Sequence, residues 1–461
     1  MPPSASRLRR LLCAATALLS ACASAPSAPP EQPNILLLYA DDLGWNDLGC
    51  YGNADHRTPA IDALAAAGAR FTNAYAAAAV CAPSRASLLT GRDVLAHGIY
   101  CINDPEQGHP DARLLDSPTN LRRLPRELPT LAEALQGAGY RTGCYGKWHV
   151  GHDGDRVSQW HPLARGFEEA VQTRSPSGKQ RYFYPNFSTI PPAPIEAGVH
   201  ISDFVSDQAR AFLDRDDGRP WFLYLPYFSV HGPREAKPDS LRAAKARGLK
   251  GRAAVYAAMC ADLDAAVSAV LAHLEARGLA DDTIVIFASD NGGTLASGNA
   301  PLRAGKGWLY EGGVRTPLIV RWPGVTTPGE LHHHPVSQLD LFPTLCRAAG
   351  APAVAGLDGT DLAPLLAGAP LAERSLRFHA PDYARFRDGA FARRPTSAIR
   401  RGDLKLVYDH ETQRAALYDL RKDVAEADDR AARRPARTAA LEQELRRWLE
   451  EAPALLPRPR R

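Results

Sequence analysis

Short, largely apolar runs bounded by turn residues recur along the chain, at Asn34–Tyr39, Trp221–Phe228, Thr283–Phe287 and Leu318–Trp322. Runs this short with so few polar interruptions predict strands buried on both faces, because a half-exposed strand would alternate. Phe71–Ala76 reads as a further strand. Between the apolar runs lie Ala-rich amphipathic segments, Thr58–Ala67, Thr130–Gln136, Ile201–Asp214, Gly251–Ala276 and Gln338–Ala349. Their spacing predicts helices, and Gly278 is placed to stop the longest of them. Strands alternating with helices argue for an α/β sheet sandwiched by helices.

From about residue 371 the texture changes. Leu376–His379, Thr396–Arg401, Leu404–Asp409 and Ala416–Leu420 read as successive short strands, followed by a charged helix near Arg437–Glu450. That succession predicts a small antiparallel sheet closed by a terminal helix. The chain therefore divides into an N-terminal export segment and tether over 1–33, a main domain over 34–370, and a C-terminal α+β subdomain over 371–461. Its 461 residues exceed one compact core, and no internal repeat is visible.

Composition changes this picture little. A hydrophobic share of 45% and a charged share of 23% are those of an ordinary globular protein. The net charge of +4 is small and its basic residues are interleaved with acids, which argues against a nucleic-acid partner. The Arg-rich end from Pro457 reads as a solvated tail. The first residues matter more. Arg7, Arg9 and Arg10 precede the mostly apolar run Leu11–Leu19, too short to span a bilayer permanently. Leu19-Ser20-Ala21-Cys22 resembles a bacterial lipobox, whose cysteine becomes the lipidated first residue; cleavage near Ala21-Cys22-Ala23 by an ordinary signal peptidase is the competing reading. Ala23–Pro33, rich in Ala, Ser and Pro, would be the tether, and either reading exports the protein.

Of the eight cysteines, Cys13 belongs to the leader, Cys22 is the lipidation candidate and Cys81 sits in a motif of its own. Cys50, Cys101, Cys144, Cys260 and Cys346 are scattered, odd in number, and predict buried thiols rather than a disulfide framework.

Candidate chemistry gathers at strand ends. Asp41 and Asp42 come directly after the first apolar run, and Asp290-Asn291 come after Thr283–Phe287 in the same way. Open α/β sheets place their ligands at the carboxyl ends of core strands. Three carboxylates and an amide oxygen form a hard, oxygen-only set suited to Ca²⁺ or Mg²⁺ and not to Zn²⁺. The segment CAPSRASLLTGR, Cys81–Arg92, places a cysteine at or just before a predicted helix N-terminus, where free N–H groups favour an anion. Arg85, four residues on, falls on the same helix face as Cys81 and would aim its guanidinium at an oxyanion. In YRTGCYGKWHVGH, an extended chain would put Lys147 and His149 on one face and Trp148 on the other.

Cys81-x-Pro83-Ser84-Arg85 followed by Leu89-Thr90-Gly91 resembles the activation sequence of the type I sulfatases, and Gly146-Lys147-Trp148-His149-Val150-Gly151 resembles their second motif. The resemblance runs from Asn34 to about Leu420, with Val150 in place of a more usual Leu. It implies an alkaline-phosphatase-like fold with a large mixed sheet and the smaller C-terminal subdomain. It also implies a sulfuric ester hydrolase in which a formylglycine-generating system oxidises Cys81 to formylglycine. Asp41, Asp42, Asp290 and Asn291 would bind one divalent cation, usually Ca²⁺ and less often Mg²⁺, together with residue 81. His231 in FSVHGP and Lys306 in PLRAGKGWLYEGGVRTP complete the implied set, with Glu311 and Arg315 structural.

On that resemblance the hydrated aldehyde attacks sulfur with help from Asp290, while Lys147, Lys306, Arg85 and the cation hold the sulfuryl oxygens. His231, with Lys306, protonates the departing oxygen, and His149 takes the proton whose removal expels sulfate. A phosphonate monoester or phosphodiester hydrolase of the same superfamily stays open as an alternative, as does a catalytically inactive lipid-anchored binding protein. The expected substrate is a sulfated carbohydrate met outside the cytoplasm, in the periplasm or at the cell surface. His56, Arg57, Arg303 and the segment His161–Tyr184 are candidates to read the sugar, and the insert Cys101–Arg123 is a candidate pocket rim.

Overall fold

A computed structural model describes residues 31–102, 110–151, 157–174, 181–294, 297–385 and 391–460. The leader with Cys13, the lipidation candidate Cys22 and most of the tether lie outside the described residues, as do parts of the Cys101–Arg123 insert and the His161–Tyr184 segment.

The main sheet is mixed and nine-stranded. In chain order its strands are β1 (Asn34–Ala40), β2 (Ala69–Phe71), β3 (Arg141–Gly146), β4 (Glu169–Arg174), β5 (Ser188–Ile190), β6 (Trp221–Pro226), β7 (Thr283–Ser289), β8 (Leu318–Arg321) and β9 (Glu330–His332). Across the sheet they run β9-β2-β8-β7-β1-β6-β3-β4-β5. The centre, β7-β1-β6-β3-β4, is parallel, and β8 and β5 pair antiparallel at its flanks. The helices of two turns or more are α1 (Pro59–Ala67), α2 (Cys81–Thr90), α3 (Leu131–Gly137), α4 (Ile201–Leu213), α5 (Pro238–Ala246), α6 (Gly251–Ala276), α7 (Leu341–Ala348) and α8 (Pro435–Leu449).

Both faces of the sheet are covered, which is why the central strands read as continuous apolar runs. Ile35, Leu37, Tyr39, Phe222, Tyr224 and Ile286 pack under α2, α3 and α7. Leu36, Leu38, Leu223, Leu225, Val285 and Phe287 pack under α1, α4 and α6. The 26-residue α6 is long and apolar enough to cross a membrane by composition, but Tyr256, Met259, Leu263, Val267 and Val270 lie in that second core layer. It is a core helix of this fold.

One local expectation is corrected, and one strand is not foreseen from the sequence. The Phe71–Ala76 segment is not one strand: β2 ends at Phe71, and Ala74–Tyr75 pair instead with Val336–Ser337. Thr72 N–H donates to the His332 carbonyl, continuing the β2–β9 pairing, and the Asn73 side chain donates to the His333 carbonyl beyond it. Strand β3 carries no hydrophobic run, yet all six of its residues are buried. Arg141 lies over the Phe212 ring at 4.0 Å and its Nη2 donates to the Phe212 carbonyl, while its Nε is buried without a partner. Gly143 and Gly146 permit the close approach: a Cβ would stand 2.8 Å from the Phe212 ring at the first and 2.2 Å from the Pro226 carbonyl oxygen at the second.

The C-terminal sheet comprises β10 (Ser375–Ala380), β11 (Thr396–Arg401), β12 (Leu404–Asp409) and β13 (Arg414–Asp419), an antiparallel meander in that order. One face, with Ile399, Leu406, Tyr408 and Leu417, packs on Leu441, Leu445 and Trp448 of α8. The other, with Leu376, Phe378, Val407 and Tyr418, packs on Tyr75, Ala79, Leu309 and Val314 of the main domain. Glu311 and Arg315 are structural as expected. Lys405 Nζ lies 2.8 Å from Glu311 Oε1 and 3.0 Å from Glu426 Oε1, with all three side chains fully buried. Cys50, Cys81, Cys144, Cys260 and Cys346 form no disulfide, and all of these but Cys50 are buried.

These buried charges lead to two predictions about stability. Lys405→Met would strand the buried Glu426 carboxylate and take one cation from Glu311, which keeps Arg315 at 3.4 Å, and should lower the unfolding free energy by about 3–5 kcal/mol, whereas Glu426→Gln leaves the Lys405–Glu311 pair and should cost less. Equal losses in urea melts would contradict that assignment. The Asp264 carboxyl accepts the N–H groups of Ala60 and Ile61 at the start of α1, and burial pushes its pKa up to about 6. Because the folded value lies above the unfolded one, its contribution is full below about pH 4 and is lost as pH rises through about 6, by about 3 kcal/mol at most. Asp264→Asn should flatten that part of the stability–pH curve; an unchanged curve would exclude Asp264 as its source.

Candidate active site

The site grows out of strand registration. β1 and β7 run parallel with Ala40 opposite Ser289, so the residues immediately after them, Asp41-Asp42 and Asp290-Asn291, leave the sheet side by side. Asp290 N–H donates to the Ala40 carbonyl, and Asp42 N–H to Asp290 Oδ1 at 3.1 Å. Asp42 takes a φ of 61°, a left-handed conformation that Asp tolerates better than most residues. β6, on the other side of β1, leads into His231, and β3 beside it leads into Lys147, whose N–H donates to the Pro226 carbonyl.

Helix α2 brings the nucleophile candidate to the same place. Cys81 is its first residue and is fully buried, with Val80 extended ahead of it. The Sγ of Cys81, a carboxylate oxygen of Asp41 and one of Asp290 all lie within 4.8 Å of one another. Lys306 Nζ is 3.9 Å from Cys81 Sγ and 2.6 Å from Asp42 Oδ1. Lys147 Nζ donates to Asp41 Oδ2 at 2.5 Å. His231 Nε2 lies 3.7 Å from Asp42 Oδ2. The ten residues expected to act in catalysis or bind the metal, Asp41, Asp42, Cys81, Arg85, Lys147, His149, His231, Asp290, Asn291 and Lys306, thus gather at one end of the central strands.

Two placements differ from expectation. Arg85 does share the Cys81 face of α2, but its Nε and Nη2 donate to Asp290 Oδ2 at 2.9 and 2.7 Å and its Nη1 to the Lys147 carbonyl. The guanidinium is spent on a carboxylate and a carbonyl beneath the cleft. His149 is not extended: its φ is 68°. It still opens on the same cleft as Lys147, while Trp148 buries its ring in the core and donates to the Trp160 carbonyl.

Burial decides the electrostatics. It raises the Asp290 pKa to about 6, reinforced by Asp41 and opposed by Arg85 and Lys147. Burial raises Asp41 too, against Lys147. Asp42 is also desolvated, but Lys306, His231 and Lys147 outweigh that and hold its carboxyl well below the usual range. Burial pushes His231 down to about 3, and His149 well below its ordinary value with help from Lys147. Both imidazoles are therefore neutral. Three carboxylates face three cations, Arg85, Lys147 and Lys306.

The donor set fits a hard divalent cation. Asp41 Oδ1 and Asn291 Oδ1 are buried oxygens without a hydrogen-bond partner, the Asn291 amide having turned its NH₂ to Asp42 and the Gly292 carbonyl. Orphaned buried oxygens are costly, and an oxygen-liganded ion would satisfy them. A dication added to the balanced charges would leave the pocket positive, suited to an anionic ester.

Above the cluster opens a cleft of about 550 Å³, walled by Ile99, Ile102 and Phe228 and by Arg122, Gln172 and Arg174. Ile102 and Arg122 fall in the insert expected to form a rim, with Ile99 just before it, and Gln172 and Arg174 fall in the segment expected to read the sugar, whereas Phe228 follows β6; nothing in the sequence pattern picks them out individually. Of the proposed sugar readers, His56 is buried against Asp47 and Tyr256, and Arg303 stacks on Tyr310 and donates to the Glu426 carbonyl, so neither lines the cleft.

Comparison with known proteins accords with this geometry. The family model "Sulfatase" matches residues 33–351, and the model of the N-sulphoglucosamine sulphohydrolase C-terminal region matches 304–454. Arylsulfatase A of Homo sapiens is 36% identical over 441 residues, covering 88% of this chain and 80% of that protein. N-acetylgalactosamine-6-sulfatase of Sus scrofa is 34% identical over 392 residues, covering 78% and 71%. The crystal structure of Ps i-CgsB in complex with k-i-k-neocarrahexaose superposes with a TM-score of 0.76 at 30% identity, covering 90% of this chain and 92% of that one.

A hard divalent cation, Ca²⁺ or Mg²⁺, should therefore raise the unfolding midpoint of the chain, by a free energy of about 2.7 kcal/mol at a concentration a hundredfold above Kd, and chelation should reverse it. Asp41→Asn should abolish the increment. An equal shift in that variant would place the ion elsewhere.

Proposed function

The chain belongs to the sulfatase family and is a sulfuric ester hydrolase, and from that premise we propose that it removes sulfate from an anionic carbohydrate through Cys81 converted to formylglycine. The observation that carries this reading is the convergence of Cys81, Lys306, Lys147 and the two acidic strand ends within one buried cluster. Formylglycine at this position would supply a hydrated aldehyde, whose second hydroxyl gives an elimination route that a plain serine or cysteine ester lacks. A divalent cation held by Asp41, Asp42, Asp290 and Asn291, Ca²⁺ in preference to Mg²⁺, would supply Lewis-acid polarisation of oxygen.

The remaining work falls to the chain's own side chains. Lys306 and Lys147 would hold the sulfuryl oxygens as negative charge develops on them, in a site from which water is largely excluded. Arg85, bidentate on Asp290, would keep that carboxylate ionised and oriented against the pull of burial. His231, half-open to the cleft beside Asp42, would relay a proton from the cationic Lys306 to the departing alcohol, and His149, neutral with an unpartnered Nδ1, would accept the proton whose loss releases sulfate.

Arg122 and Arg174 at the cleft mouth, beyond the cations at its base, favour a leaving group that itself carries acidic substituents. The carbohydrate substrates named for N-acetylgalactosamine-6-sulfatase and the neocarrahexaose bound to Ps i-CgsB support a sugar in that role. Export, with a lipid anchor at Cys22 and a formylglycine-generating system as partner, completes the proposal.

Mass spectrometry of the Cys81 peptide from protein made in its own host should find a loss of about 18 Da relative to cysteine. Cys81→Ala should lower aryl sulfate turnover by roughly three orders of magnitude or more. Unmodified Cys81 with no sulfate released would defeat the mechanism, and faster turnover of an aryl phosphonate ester than of the sulfate would move the assignment to that chemistry.

A further inference from the structure

A second cleft, of about 460 Å³, lies where the loop that carries Lys306 meets the C-terminal sheet. Its lining includes Trp308 and Tyr310 on the loop side and Arg393, Arg394, Thr396 and Arg414 on the sheet side. The Trp308 and Tyr310 ring centroids are 6.1 Å apart with their planes 30° apart, so the two rings form a shallow aromatic surface. Arg393 is only 3% exposed; it donates to the Ala380 carbonyl and to Asp382, while its Nε is a buried donor without a partner. The hydroxyl of Thr396 is a second buried polar atom without a partner. Arg414 is exposed, and Arg394 is exposed beside Glu411 at 3.0 Å. The two acids of the cleft are already engaged: Asp409 accepts the N–H groups of Glu411 and Thr412, and Asp429 those of Leu417 and Ala431.

Planar rings, cations and unsatisfied polar atoms in one shallow cleft suit a ligand with an apolar ring face and anionic substituents. A sulfated sugar has both. The cleft also lies near the active site along the chain. Trp308 is two residues from Lys306, within about 7 Å along the backbone, and the intervening Gly307 N–H donates to the carbonyl of Ala79, two residues before Cys81. We propose that this cleft is a second saccharide site, which holds an anionic sugar unit of the same chain whose sulfate ester lies against Cys81. The inference rests on the carbohydrate reading above and adds that the substrate is an oligomer long enough to reach both clefts.

The test is the affinity of a size-fractionated sulfated dextran hexasaccharide, by isothermal titration, for the wild-type chain and two charge-matched variants. Arg394→Glu/Arg414→Glu should weaken binding about tenfold or more, the equivalent of about 1.4 kcal/mol. Arg252→Glu/Arg437→Glu makes the same charge change on exposed helix positions outside the cleft and should weaken it less than about twofold. Trp308→Ala, with a melting curve to report folding, should weaken binding without altering charge. Equal losses in both double variants would reduce the effect to bulk charge, and wild-type affinity in the cleft variants would overturn the site. Sulfate release by the wild-type chain is measured separately: activity with unaffected hexasaccharide binding rejects the second site alone, whereas no release from any sulfate ester rejects the function on which it rests.

Discussion

Three carboxylates buried within a few ångströms of one another repel, and each loses its hydration; the fold must deliver compensating charge from distant parts of the chain. Asp41, Asp42 and Asp290 are supplied by two neighbouring strands, and their partners Arg85, Lys147 and Lys306 by a helix, a third strand end and a loop. Each acid receives its own cation at 2.5–2.7 Å. Removing one partner would leave a buried charge uncompensated, the costly half of any buried pair. The cluster therefore ties β1, β3, β7, α2 and the Lys306 loop together, and its rigidity is a precondition for chemistry that relies on fixed charges rather than on mobile water.

That dependence explains why so much of the site is legible in the sequence. Asp41-Asp42 and Asp290-Asn291 stand directly after apolar runs, and parallel registration of two such runs brings the residues at their carboxyl ends together. Cys81, Pro83, Ser84 and Arg85 form a string too specific to be an ordinary helix start, and the resemblance it supports is shared by the relatives that match across most of the chain. The central strands and the helices over 59–67, 201–213 and 251–276 are readable because a core layer on each face demands uninterrupted apolar runs and amphipathic stripes.

Other features escape the sequence for identifiable reasons. Strand β3 is built from Arg, Thr, Gly, Cys and Tyr, and its burial depends on Arg141 meeting the Phe212 ring and on glycines that let neighbours approach, both tertiary facts. The direction of the Arg85 guanidinium is open in the sequence because helix spacing fixes a face and not a partner; a buried carboxylate at 2.7 Å decides it. Arg303 looks available beside Lys306, but Tyr310 and the Glu426 carbonyl claim it.

The same division separates the reaction from the choice of substrate. The groups around Cys81 come from strand ends and one helix start, positions where the core leaves little freedom. The groups that would meet the rest of a substrate, Ile102, Arg122, Gln172 and Arg174, come from β4 near one edge of the sheet and from the connection between α2 and α3. Substitution there changes the shape and charge of the cleft mouth while leaving the pairing of Asp41, Asp42 and Asp290 intact. A single scaffold can thus keep one reaction and change the molecule it acts on, because the charges that drive the chemistry and those that choose the substrate rest on different parts of the fold.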